Sequence, residues 1–105
     1  MKNSVNILKA IKKLVKERDS SAKIYLYGSR ANGNAKKDSD WDLLILLKKD
    51  QITSEIENSI TDPLYDLEFA TGEIISPMIY SQKEWNTKYS ITPFYKNVMK
   101  EGQLI

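Results

Sequence analysis

The chain contains no cysteine and no histidine. The first absence rules out a disulfide framework and any thiolate metal site. The second rules out imidazole-based zinc sites, a Ser-His-Asp triad and imidazole acid–base chemistry. There is also no apolar run approaching the ~20 residues that span a bilayer. The N-terminal stretch MKNSVNILKAIKKLVKERD is broken by lysine every few residues, so it lacks the continuous apolar core of a signal peptide. A cytoplasmic protein with no membrane association is expected. Strong charge of one sign is missing too: the net charge is +2. The lysines are spread out apart from small clusters at Lys9–Lys16 and Lys36–Lys37, and no specific nucleic-acid binding is expected. Any catalysis must therefore rest on carboxylates, hydroxyls, Lys or Arg, and a metal ion.

What is present suits one small domain, residues 1–105, with a single core. Hydrophobic residues make up 41% and charged residues 29%, ordinary values for a globular chain. Asn3 or Ser4 can cap a first helix, in which Ile7, Leu8, Ile11, Leu14 and Val15 recur at helical spacing opposite Lys9, Lys12, Lys13 and Lys16. Lys23–Tyr27 reads as a short strand ended by Gly28. Trp41–Leu47 reads as a second strand, whose unbroken apolar run predicts cover on both faces. Ile52, Ile56 and Ile60 predict a helix over 53–60 that Pro63 stops. Tyr65–Ala70 then reads as a third strand, Thr71-Gly72 as a hairpin turn and Glu73–Tyr80 as a fourth strand, with Pro77 marking an edge or a bulge. Ser81 can cap a short helix carrying Trp85. Thr92-Pro93 opens a last helix that Gly102 ends.

The stretch YLYGSRANGNAKKDSDWDLLILL, from Tyr25 to Leu47, carries the chemistry. Gly28 lets a ligand approach the backbone closely. Ser29 opens a helical turn whose free N–H groups, with its own hydroxyl, can receive phosphate. Arg30, or Lys36 and Lys37, can add positive charge. Asp40 and Asp42 lie one residue apart at the head of a strand, so their side chains point to one side. Two like charges placed together call for a cation between them, and Mg²⁺ carrying a nucleoside triphosphate fits. A third acid would complete such a site as metal ligand and base. Asp66 and Glu68 are the candidates, on the third strand paired antiparallel with the second, with Asp66 preferred. Trp41, between the two aspartates, faces away from the metal side and reads as a packing residue.

On these residues the chain resembles a known family. GSRANGNAKKDSDWD is similar to the nucleotidyltransferase signature of Gly-Ser, a spacer holding an Arg and a Gly, and then Ser-Asp-x-Asp, here Gly28, Ser29, Arg30, Gly33, Ser39, Asp40 and Asp42. The resemblance is to the minimal nucleotidyltransferases of the DNA polymerase β-like superfamily. It covers roughly residues 1–80 in element order, and the tail TPFYKNVMKEGQLI also looks like the end of such proteins. It implies an α/β (α+β) nucleotidyltransferase fold, a mixed sheet of about four strands flanked by helices. It implies Mg²⁺-dependent transfer of a nucleoside monophosphate, AMP from ATP, to a hydroxyl with release of pyrophosphate. Carried over, Gly28, Ser29, Arg30 and Ser39 serve the nucleotide. Asp40 and Asp42 hold one or two Mg²⁺, and Asp66 or Glu68 is the third carboxylate.

The resemblance also implies a small helical partner of the HEPN-like kind in a toxin–antitoxin pair, with a tyrosine of the toxin as acceptor, or else a homo-oligomer. The alternative is a non-catalytic antitoxin or regulatory subunit that keeps the nucleotide site. If neither candidate acid reaches the metal, the expected result is a site that binds nucleotide and turns over poorly.

Overall fold

In the computed structural model, residues 4–105 are described. The proposed cap Asn3 lies outside them. Helix α1 (Ser4–Arg18) buries Ile7, Ile11 and Val15, while Lys9, Lys12 and Lys13 are exposed. The turn that follows is tied back to the helix, because Lys16 Nζ donates to the Ala22 carbonyl at 2.5 Å. A cation there also suits the negative end of the helix dipole.

Strands β1 (Lys23–Tyr27) and β2 (Trp41–Leu47) pair antiparallel, with Ile24 opposite Ile45 and Tyr27 opposite Asp42. Between them lies a one-turn helix, α2 (Ser29–Asn32). Side chains alternate along β2 and so serve two cores. Trp41, Leu43, Ile45 and Leu47 join Ile7, Ile11, Ile24, Ile60 and Leu64 on one face. Leu44 and Leu46 join Trp85 and Val98 on the other. The unbroken apolar run is therefore covered on both sides, as expected.

The structure corrects the reading of residues 61–72. Pro63 does not stop the helix: α3 runs from Ser54 to Thr71 with Pro63 inside it. The apolar positions Ile56, Ile60, Leu64 and Leu67 keep helical spacing through the proline and pack on the first core. That burial outweighs the ~3 kcal/mol a proline costs inside a helix. Tyr65 and Phe69, read as part of a third strand, are one helical turn apart on the outer side, with Phe69 93% exposed. Thr71-Gly72 is a helix C-cap and not a hairpin turn, since Gly72 is left-handed (φ 77°) and its N–H returns to the Glu68 carbonyl at 2.8 Å.

Because α3 is a crossover, the next strand, β3 (Ile75–Ser81), pairs with β2 in parallel. Pro77 is tolerated because β3 is the sheet edge. Ser81 caps α4 (Gln82–Asn86), accepting from the Glu84 N–H, and Thr92 caps α5 (Pro93–Glu101), accepting from the Tyr95 N–H. Trp85 of α4, 0% exposed, anchors the second core with ring contacts to Tyr80, Phe94 and Tyr95. A short strand, β4 (Gln103–Leu104), follows Gly102 and pairs with β1. The sheet order is β3-β2-β1-β4, mixed and flanked by helices. Among the described residues no helix is long and apolar enough to cross a membrane.

Candidate active site

Two segments meet at the junction of β1 and β2. Gly28 ends β1 with φ 74° and ψ −156°, a conformation that L side chains rarely adopt. A Cβ at this position would lie 3.3 Å from Asp42 Cγ and would run into Asp42 Oδ2. Glycine thus meets two needs, the backbone turn and room for the carboxylate. Beyond it, the Gly28 carbonyl accepts from the Ala31 and Asn32 N–H groups at 3.0 and 3.1 Å, closing α2. Gly33, left-handed at φ 84°, ends it. Ser29 therefore stands at the start of a helical turn, as its place in the sequence predicted, directly after the residue against which the Asp42 carboxylate packs.

Asp42 is half-buried on the face of β2 that also carries Leu44 and Leu46. Burial pushes its carboxyl above the usual carboxylate range, and the charge of Asp40 pushes it further the same way. Tyr27, opposite Asp42 in the strand register, has its phenol pushed up to about 12 by burial, then by Asp42 and by Tyr80. Asp40 is exposed, and its Oδ2 accepts from the Ser76 hydroxyl at 3.3 Å. Neither ion pair found among the described residues involves Asp40 or Asp42.

The loop between α2 and β2 is held by a side chain expected to meet phosphate. Arg30 donates from Nη2 to the Ser39 carbonyl at 2.9 Å and from Nε to the same oxygen at 3.3 Å. It lies over Trp41, 4.1 Å from the ring centroid, and pairs with Glu73 at 3.7 Å. Arg30 thus braces the peptide that delivers Asp40, leaving Lys36 and Lys37 as the exposed cations of the loop. Ser39 is structural as well, because its hydroxyl accepts from the Lys36 N–H at 2.7 Å. Sequence reasoning missed Glu73, which accepts from Trp41 Nε1 at 2.8 Å and completes an Arg30–Trp41–Glu73 cluster. No local pattern marks it, since the partners are distant in the chain. Trp41, 2% exposed, is the packing residue that was expected.

Asp66 and Glu68 do not come from a strand paired with β2. They lie on α3, which packs on the Trp41 face of the sheet, opposite the face that carries Asp42. Asp66 is exposed, and Glu68 Oε2 accepts from the Ile75 N–H at 2.8 Å, tying down the start of β3. The strand position facing Asp42 belongs instead to Ser76. Among the described residues no group of three His, Cys, Asp or Glu is placed to hold a metal ion. Asp40 and Asp42 still fit Mg²⁺ as a donor set. They are hard oxygen ligands close together in the chain, with no ion pair to a cation among the described residues, and Mg²⁺ commonly binds through one or two carboxylates plus substrate phosphates.

Comparison with known proteins shows the family and the fold. The nucleotidyltransferase domain family matches residues 8–105. The chain belongs to that family. A relative from Methanocaldococcus jannaschii, described as "Putative protein adenylyltransferase MJ0604", is 31% identical over 105 residues, covering 100% of this chain and 93% of the relative. Two solved structures share the fold. One is a toxin-antitoxin with AMP-PNP, at a TM-score of 0.64 and 18% identity over 97% of this chain and 72% of that one. The other is a point mutant of the toxin-antitoxin MntA-HpeT, at a TM-score of 0.61 and 19% identity over 100% of this chain and 72% of that one.

Proposed function

We propose that this chain is the nucleotidyltransferase of a toxin–antitoxin pair and that it moves AMP from ATP to a hydroxyl of its partner protein, a tyrosine of a helical, HEPN-like toxin. The observation that carries the reading is the packing of the Asp42 carboxylate against Gly28, the residue before Ser29, which supports a site where the triphosphate and the metal ion would lie side by side. The adenylyltransferase relative and the AMP-PNP-containing toxin-antitoxin support ATP as donor and a partner protein as acceptor. The exposed Tyr65 and Phe69 on α3 support a protein-binding surface.

In this reading Ser29, with the backbone N–H groups of its turn, holds the triphosphate. Asp40 and Asp42 would hold Mg²⁺, which supplies charge neutralisation on the phosphates when bound. The acceptor oxygen forms a bond to the α-phosphorus, the bond from the α-phosphorus to the bridging oxygen breaks, pyrophosphate leaves, and the hydroxyl proton is released. The Arg30 brace keeps Asp40 in place without reorganisation during the transfer.

The test is incubation of the purified chain with its genomic neighbour, Mg²⁺ and ATP labelled at the α-phosphate. Label should appear on the partner and vanish with Asp40→Ala or Asp42→Ala. Label that survives both substitutions refutes the assignment.

A second reading, a nucleotide-binding antitoxin without turnover, is favoured by one observation, that only two carboxylates meet at the corner among the described residues. Partner binding that ignores Asp40, Asp42 and metal, with no labelling, would select it.

A further inference from the structure

We propose that Ser76 leaves this corner one charge short of a free-standing cation site, so that the chain holds a divalent cation only together with its nucleotide. This rests on reading the corner as a nucleotide site. Ser76 is the residue of β3 directly beside Asp42 in the parallel register, so both side chains stand on the same face of the sheet. Its hydroxyl reaches Asp40 Oδ2 at 3.3 Å. A carboxylate at this position would add a third anionic oxygen donor. The serine instead adds a neutral hydroxyl that donates to one of the two acids.

Among the described residues no third acid joins Asp40 and Asp42 to make up the deficit. Glu68 is bound to the Ile75 N–H, and Glu73 is bound to Trp41 and paired with Arg30. Two partly solvated carboxylates compete poorly with water for a strongly hydrated ion. A triphosphate seated at Ser29 supplies the missing charge and oxygens, so cation and nucleotide bind as one unit. The absence of a third charge also spares Asp40 and Asp42 a further repulsion before nucleotide arrives.

Mn²⁺ is the probe, measured by equilibrium dialysis as the excess of the ion on the protein side, with and without a non-hydrolysable ATP analogue, so that ion chelated by dissolved analogue is present on both sides and cancels. The wild-type chain should bind Mn²⁺ about tenfold or more tightly with the analogue than without it. Ser76→Asp should bind Mn²⁺ alone about tenfold or more tightly than wild type, the scale of one extra charge close to a divalent ion in a water-like medium. Ser76→Asn and Ser76→Ala should show no such gain, which separates charge from shape. Wild-type chain that binds Mn²⁺ alone as tightly as with the analogue overturns the proposal, whatever the variants do. So does a folded Ser76→Asp that shows no gain while wild type still binds Mn²⁺ with the analogue, and in that case the nucleotide-site reading stands. Wild-type chain that binds neither Mn²⁺ nor analogue overturns that reading and this inference together.

Discussion

The Asp42 carboxylate occupies the space in which a side chain at Gly28 would have to sit. This packing of one residue's absent Cβ against another's functional group joins the end of β1 to the start of β2. It also makes a clear prediction. Gly28→Ala should lower stability by about 1–3 kcal/mol through its positive φ, with the collision against Asp42 adding to that cost, and should abolish transfer by displacing Asp42. In an Asp42→Ala background the collision is relieved and only the backbone strain remains. The cost of Gly28→Ala, measured by urea denaturation, should then be smaller. Equal costs in both backgrounds would show that the two residues do not interact.

The raised proton affinity of Asp42 has a consequence for stability. Its folded-state pKa lies above its unfolded value, so between the two the folded chain binds more protons and stability falls as pH rises. Ionised Asp42 is therefore a destabilising group at neutral pH. Without metal or nucleotide, Asp42→Asn should be at least as stable as wild type at neutral pH, and this advantage should shrink as pH drops toward the unfolded carboxylate value. Thermal melts across that range check it. Adding Mg²⁺ and ATP should raise the wild-type midpoint and leave that of Asp42→Asn nearly unchanged.

Arg30 separates a bracing role from a phosphate-binding one. Arg30→Ala removes the donors to the Ser39 carbonyl and the stacking on Trp41, and should cost about 1–3 kcal/mol. Arg30→Lys should recover little, because a point charge cannot both stack and fork. Transfer should fall mainly in kcat, with a small change in KM for ATP, and Trp41 fluorescence should shift. A large KM increase with unchanged stability would instead mark Arg30 as a phosphate ligand.

The two acids of α3 should behave differently from those of the Asp40–Asp42 pair. Asp66→Asn should change stability by no more than about 0.5 kcal/mol and leave transfer intact. Glu68→Ala should cost about 1–3 kcal/mol, because the Ile75 N–H loses its acceptor. Its effect on labelling should follow the loss of fold and not exceed it. Abolished transfer in a fully folded Asp66→Asn would restore that residue to the site.

The elements that build the candidate site were legible wherever their geometry is local. Gly28 and Ser29 at a strand end, and Asp40 and Asp42 one residue apart, needed only strand alternation and turn chemistry to be read. The caps at Ser81 and Thr92 were legible for the same reason. The third strand was misread because Tyr65, Leu67 and Phe69 alternate like strand residues, while Pro63 looks like a helix stop. The stripe Ile56, Ile60, Leu64 and Leu67 carried the opposite message, and burial on the core made it prevail. Strand β4 is two residues long, too short for any periodicity.

By itself, then, the sequence determined the two-faced second strand, the glycine-serine turn and the paired aspartates, because each follows from steric and hydrogen-bonding rules acting over a few residues. The tertiary structure alone decided that β3 runs parallel to β2, that Ser76 and not an acid stands beside Asp42, and that Arg30 is held by Trp41 and Glu73. Those outcomes depend on which face of the sheet α3 covers. That choice is made by burial among residues far apart in the chain, which no local pattern encodes.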